Sequence, residues 1–244
     1  MRSIIIPTYN HVENCLKPCL KSILNQGLKD AEVIVVANGC RDGTEDYVKS
    51  LGTTVRLISS PDSLEYTRAV NVGISAAAGD MIVLINDDCQ ILDWGRDSWL
   101  DLLEAPMAAD PKVAATGSSK DVWAMGRPFL VFDLVMIRKK TLVEFGLLDD
   151  VFNPGCGEDT DFCLKAQAKG MSVLQVPRDF DHWRTEFPIW HIGHATCAGI
   201  PGWEDNARRN LAILESRYPR SQADRDYQKA FSEGLQNIHL WNKK

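Results

Sequence analysis

No apolar run in this sequence is long enough to cross a bilayer. The longest are Val33 to Ala37, Met81 to Ile85 and Phe129 to Ile137. All fall far short of the ~20 residues that a spanning helix needs, and Asp133 interrupts the last. The N-terminus has no basic region, apolar region and cleavage site of a secretory signal; it passes almost at once into an apolar strand. Both absences lead to the expectation of a cytoplasmic protein. Lys243 and Lys244 are too few to anchor it electrostatically at a membrane, which leaves a peripheral position at a membrane surface as the most that is expected. Positive charge is not in excess: 27 Lys+Arg stand against 33 Asp+Glu, a net −6, which excludes nucleic acid held by bulk charge. Seven cysteines, an odd number with no export signal, read as reduced thiols rather than a disulfide framework. Cys15 and Cys19 lack a second pair to complete a zinc site and read as small buried residues. The phosphate loops are missing too. No Gly-x-Gly-x-x-Gly follows the first strand, and no Gly-x-x-x-x-Gly-Lys-Ser/Thr occurs.

What is present is a globular chain of 244 residues, 45% hydrophobic and 25% charged. Up to Ile85 short apolar runs alternate with helical spacing. Strands are expected at Arg2 to Ile6, Val33 to Val36, Val55 to Ile58 and Met81 to Ile85. Helices are expected at Val12 to Leu24, Thr44 to Leu51 with Thr44 as N-cap, and Leu64 to Ala78. Repeated strand–helix–strand units imply a doubly wound, mostly parallel sheet. Further along, Phe129 to Ile137 and Ser172 to Val176 read as strands, and Lys139 to Phe145 and Thr160 to Lys169 as helices. Two helical stretches, Asp205 to Tyr218 and Ala223 to Leu240, close the sequence. No repeat, low-complexity tract or Gly/Ser- or Pro-rich linker divides the chain. One domain over residues 1–200 is therefore expected, with a helical extension, 201–244, packed on it.

In a doubly wound sheet, ligands bind beyond the carboxyl ends of the strands. Three polar clusters fall there: Pro7-Thr8-Tyr9-Asn10, Asn38 to Gly43, and Asn86-Asp87-Asp88. Adjacent carboxylates closing a buried strand repel each other and lose solvation, which a divalent cation relieves; an acidic turn capping the next helix is the plain alternative. Glu158, Asp159 and Asp161 open a helix. They suit the helix start electrostatically, but three carboxylates exceed what a cap needs, and one could take a proton from an acceptor hydroxyl. His191 and His194 could meet one metal only if the backbone allows it.

Together these segments resemble family 2 glycosyltransferases and their GT-A fold. Ile4-Ile5-Ile6-Pro7-Thr8-Tyr9-Asn10 is similar to the family's opening strand. Val35 to Thr44 is similar to its Asp-Asn-Gly-Ser-x-Asp-Gly-Thr loop, with Ala37 where an acidic residue is common. Asn71-Val72-Gly73-Ile74, Ala78-Gly79-Asp80 and Leu84 to Asp88 resemble the run into a DXD-type metal motif, with Asn86 at a position often held by Asp. Phe145 to Asp149 and Gly157 to Cys163 resemble the acceptor-side segment, and His191 a C-terminal histidine of many members. The resemblance implies an inverting, metal-dependent transferase with a nucleoside diphosphate sugar as donor. It implies that Pro7, Thr8, Tyr9, Asn10, Asn38, Asp42, Asn71, Asn86 and Asp87 line the donor site. Asp88 and His191 would bind Mn2+ or Mg2+, with His194 as a second candidate. Asp159 would be the base, and Glu158 would orient the acceptor. The acceptor would be a glycan, lipid-linked or other hydroxyl compound, in polysaccharide or glycoconjugate synthesis. Trp123, Trp183, Trp190 and Trp203 are candidate sugar-packing faces. The C-terminal helices could support a homodimer, cover the acceptor site or touch a membrane. Three other readings remain: a nucleotidyltransferase, for which the first loop lacks glycine and a basic residue; a non-catalytic sugar-nucleotide or glycan-binding relative; and a retaining transferase on the same fold.

Overall fold

The computed structural model describes residues 1–92, 99–118, 122–176, 187–193 and 200–220. In chain order the elements begin with β1 (Arg2–Thr8), α1 (Lys17–Leu24), β2 (Ala31–Asn38), α2 (Thr44–Ser50), β3 (Arg56–Ser60), α3 (Glu65–Ala76), β4 (Met81–Ile85) and β5 (Cys89–Ile91). Then follow α4 (Trp99–Ala109), β6 (Val113–Gly117), β7 (Trp123–Ala124), β8 (Arg127–Pro128), β9 (Leu134–Arg138) and α5 (Lys139–Phe145). The last are α6 (Glu158–Ala168), β10 (Ser172–Gln175), β11 (Ile189–His191) and α7 (Trp203–Arg217). Seven strands form the main sheet in the order β10-β6-β9-β4-β1-β2-β3. All neighbours are parallel except β9, which runs antiparallel to both β4 and β6. The sheet is mostly parallel with helices on both faces, the GT-A fold.

Strand periodicity divides the core in two. Ile4, Ile6, Val33, Val35, Val83 and Ile85 pack on one face with Leu16, Leu20 and Ile23 of the first helical region and Leu100, Leu103 and Met107 of α4. The alternate residues Ile5, Ile34, Val36, Ile82 and Leu84 pack on the other with Ala69, Val70 and Ile74 of α3 and Phe162, Cys163 and Ala166 of α6. Because both faces are covered, β1, β2 and β4 read as continuous apolar runs. Gly73 lets α3 approach β1: a Cβ there would overlap the Ile5 side chain.

Several sequence expectations are corrected. The segment from Phe129 is strand only over Leu134–Arg138; before it, Phe132 packs edge-to-face on Phe162 with centroids 5.7 Å apart. The helix after β1 opens with a wide turn at Val12–Leu16, in which the Leu16 N–H reaches the His11 carbonyl. Thr44 is not the cap of α2. Gly43 stands at that position, and Asp42 before it binds the helix start: its Oδ1 accepts the Thr44 N–H at 3.3 Å and the Thr44 hydroxyl at 2.6 Å. The elements α4, β5, β6, β7, β8 and β11 were not foreseen. The expected helix Ala223 to Leu240 lies outside the described residues, as do His194 and Trp183.

Candidate functional site

Parallel pairing of β1 with β2 and β4 brings three chain exits to one edge of the sheet. The β1 exit begins inside the strand, where Pro7 is buried opposite Val36. Thr8 Oγ1 donates to Asp87 Oδ2 at 2.6 Å. Tyr9 is exposed. Asn10 and His11 are both left-handed, with φ 60, and this turns the chain back over β2. There the Asn10 N–H donates to Cys40 Sγ at 3.3 Å, and Asn10 Oδ1 accepts the Arg41 N–H at 2.8 Å. Asp42 Oδ2 accepts the Val12 N–H at 2.7 Å. One carboxylate thus binds the start of α2 and ties the first two loops together. Asn38, buried at the end of β2, spends its amide on the loop before α3: Oδ1 accepts the Leu64 N–H at 2.6 Å, and Nδ2 donates to the Glu65 carbonyl at 3.2 Å. Asn71 closes a similar two-bond clasp on Leu148 (2.7 and 3.1 Å) from α3 and holds the segment leading to α6.

The β4 exit is the acidic one. Asp87 and Asp88 are both buried. Burial above all, with the charge of Asp88, pushes the Asp87 carboxyl up to about 7, against the pull of the Thr8 hydroxyl. Asp88 faces β11, which pairs antiparallel with β5 so that His191 lies opposite Cys89. His191 stands between two carboxylates, with Nε2 3.2 Å from Asp88 Oδ1 and Nδ1 3.4 Å from Asp133 Oδ2. Asp133 first, then Asp88, hold the imidazolium and raise its pKa to about 10. Ligand atoms of Asp88, Cys89 and His191 lie within 4.8 Å of one another. A carboxylate and an imidazole converging beside a second buried carboxylate fit a divalent cation of the transition series, so the residues present suit the implied metal.

Glu158 and Asp159 begin α6 after Gly157, whose φ of 118 belongs to glycine and at which a Cβ would press on the Phe152 ring at 2.9 Å. Glu158 is buried, and its Oε2 has no hydrogen-bond partner among the described residues. Desolvation, then the charge of Asp159, drives its carboxyl well above the ordinary range. Asp159 is also raised by desolvation, although the Thr160 N–H (2.6 Å) and hydroxyl (3.2 Å) donate to it and the nearby Phe132 backbone N–H pulls it down. Asp161, third of the acidic cluster, is turned away: it pairs with Arg217 (2.9 Å), Lys165 (3.1 Å) and the Tyr218 hydroxyl (3.0 Å) and docks α7.

Three residues that sequence reasoning missed join these parts. The Tyr66 hydroxyl donates to Asn86 Oδ1 at 3.1 Å and the Phe132 carbonyl at 3.3 Å. Its burial, then the charges of Glu158, Asp159 and Asp133, drive its pKa up. Asp133 lies against His191, and its backbone carbonyl accepts the Asn86 N–H at 3.0 Å and the Cys89 thiol at 3.5 Å. The Phe132–Asp133 dipeptide thus touches Asp159, Tyr66, Asn86, Cys89 and His191. Asn210 on α7 donates to the carbonyls of Phe152, Gly155 and Cys156 (2.9, 3.0 and 2.8 Å), the loop that leads into Glu158. The one signal for Asp133 was a charge breaking an apolar run; Tyr66 and Asn210 gave none. Of the tryptophans, Trp190 is exposed. Trp203 lies beside Gly155 and Tyr66, since a Cβ on Gly155 would sit 3.4 Å from its ring and 3.6 Å from Tyr66 Cβ.

The sequence model of Glycosyl transferase family 2 matches residues 3–143. The glycosyltransferase AglE of Haloferax volcanii is 32% identical over 104 residues, 41% of this chain and 33% of its own. The GalNAc(5)-diNAcBac-PP-undecaprenol beta-1,3-glucosyltransferase of Campylobacter jejuni is 31% identical over 94 residues, 37% of this chain and 30% of its own. The chain therefore aligns with about a third of the length of these curated relatives. Among solved structures, the mannosyltransferase PcManGT of Pyrobaculum calidifontis, in complex with GDP-Man and Mn2+, superposes with a TM-score of 0.60 at 21% identity, over 72% of this chain and 55% of that one. GalNAc-T7 with UDP, GalNAc and Mn2+ gives 0.63 at 16% identity, over 72% and 42%. These likenesses are of fold. The family match takes in the donor-edge loops and Asp88 and stops short of Glu158, Asp159 and His191. By that match, over more than half its length, the chain belongs to glycosyl transferase family 2.

Proposed function

We propose that the chain is a metal-dependent, inverting glycosyltransferase that moves a sugar from a nucleoside diphosphate donor to an acceptor hydroxyl in polysaccharide or glycoconjugate synthesis. The observation that carries this reading is the pairing of two unlike acidic sites through one dipeptide. On one side Asp88 meets His191; on the other stands desolvated Asp159, beside the Phe132 backbone N–H. Among the described residues no helix is long and apolar enough to cross a membrane.

The loop Pro7 to Asn10, with Asn38 and Asp42, forms the rim for the base and ribose, and Asn71 shapes the acceptor-side wall by holding Leu148. Asn86 and Asp87 lie near the diphosphate. Asp88 and His191 would hold Mn2+ or Mg2+. When bound, the cation neutralises the diphosphate and stabilises charge on the leaving group. Asp159 Oδ takes the proton of the acceptor hydroxyl. The acceptor oxygen bonds to the anomeric carbon as the bond from that carbon to the phosphate oxygen breaks, so the configuration inverts. A carboxylate with a raised pKa is the stronger base for this step. Buried Glu158 keeps water from Asp159 and orients the acceptor.

The test is Asp159→Asn. Turnover should fall 10²–10⁴-fold while Mn2+-dependent binding of UDP or GDP is kept. Near-normal turnover, or a product that retains the anomeric configuration, would remove Asp159 from the role of base. No thermal shift in the unmutated protein with UDP, GDP, dTDP or CMP, each with Mn2+, would favour a non-catalytic glycan-binding relative.

A further inference from the structure

Building on the reading of His191 as a metal ligand, we propose that Asp133 is a positioning residue that fixes the ring orientation and tautomer of His191. A ligating histidine presents one ring nitrogen to the metal, and the proton on the other is commonly held by a carboxylate. The geometry supplies both halves. Nε2 points to Asp88 and Nδ1 to Asp133. Asp133 is itself immobilised. Its Oδ1 accepts the Leu134 N–H at 2.8 Å, which leaves Oδ2 for Nδ1. Its backbone carbonyl is bound by the Asn86 N–H at 3.0 Å. The residue stands at the head of β9, between β4 and β6, so the sheet fixes its backbone and the Leu134 N–H its carboxylate. Holding the proton on Nδ1 leaves the Nε2 lone pair for a cation beside Asp88.

The Leu134 N–H makes the proposal sharp. In Asp133→Asn it still requires an oxygen, so the amide NH2 is forced toward Nδ1. Nδ1 must then accept, the ring proton moves to Nε2, and the ligand lone pair is lost. Asp133→Ala merely removes the partner and lets water serve. A structural role gives the opposite order, because asparagine keeps the volume and the Leu134 bond that alanine deletes. The experiment is titration of the whole chain with Mn2+ alone, with free Mn2+ counted by electron paramagnetic resonance, for the unmutated protein, Asp133→Asn, Asp133→Ala, Asp133→Glu and His191→Ala. The expected result is a 10–100-fold loss of affinity for Asn, a smaller loss for Ala and partial recovery for Glu. Asn binding as well as the unmutated protein, or better than Ala, while His191→Ala loses affinity, overturns the proposal and leaves the metal reading intact. Unchanged binding in His191→Ala overturns the ligand reading and the proposal with it.

Discussion

Asn210 offers the most quantitative test of how the acidic pair is held. The side chain is 1% exposed, and its two N–H groups serve three carbonyls, those of Phe152, Gly155 and Cys156. The Phe152 carbonyl also accepts the Gly155 N–H at 2.9 Å, so the loss on truncation falls mainly on the other two. Burying an acceptor without its donor costs about 1–3 kcal/mol. Asn210→Ala should therefore destabilise the protein by about 2–6 kcal/mol. At roughly 2–4 °C per kcal/mol for a chain of this size, the melting temperature should drop by about 4–24 °C. The loop it releases enters Glu158 directly, whereas Asp88 and His191 are held by β5 and β11. Turnover measured well below the melting temperature should thus fall several-fold, with the affinity for Mn2+ and nucleotide unchanged. Differential scanning fluorimetry and steady-state kinetics read both. A stability loss under ~1 kcal/mol, or a parallel loss of nucleotide affinity, would refute the idea that α7 secures the acceptor-side loop.

Two further outcomes are expected. Burial raises the Glu158 carboxyl above its ordinary value of 4.5, so the folded state binds this proton more tightly than the unfolded chain. The associated stability is complete below about 4.5 and is lost as the pH rises through neutrality. Glu158→Gln should therefore gain in melting temperature relative to the unmutated protein as the pH is raised, and a constant difference would show that the carboxyl is not desolvated. Glu65 opens α3 with φ 64, where glycine is unstrained. Glu65→Gly should raise stability by up to ~1 kcal/mol in urea titrations; a loss would mean that the strain is offset by contacts of the side chain.

The first half of the fold was legible because β1, β2 and β4 are covered on both faces and so appear as unbroken apolar runs separated by helical spacing. The second half was not. β6, Val113–Gly117, is built of small residues such as Ala114 and Ala115 that carry no strand signal and become a strand by pairing with β9. α4 contains Pro106, which argues against a helix locally. The site was legible where chemistry is written as charge. Asp87 with Asp88 and Glu158 with Asp159 stood out because adjacent carboxylates need a reason. Asp42 was read as a pocket residue, and its bonds to Val12 and Thr44 depend on a loop meeting that no spacing reveals. Asp161 looked like its neighbours until α7 supplied Arg217 and Tyr218. Tyr66 has the spacing of an ordinary core residue of α3, and its hydroxyl gains meaning only when β9 sets Phe132 above it.

The antiparallel course of β9 has a consequence for how such a protein can change. Its leading dipeptide, Phe132–Asp133, is shared property: the Phe132 N–H faces Asp159 and the Phe132 carbonyl accepts from Tyr66, while the next residue serves Asn86 and His191. On the proposed reading, leaving-group departure and acceptor activation would be geared through this single rigid tooth. A substitution or backbone shift there is transmitted to both at once. On the same reading, new donor preferences would be more readily acquired along the loops after β1 and β2, and new acceptor preferences around α7. The junction between them is the part of the chain least free to drift.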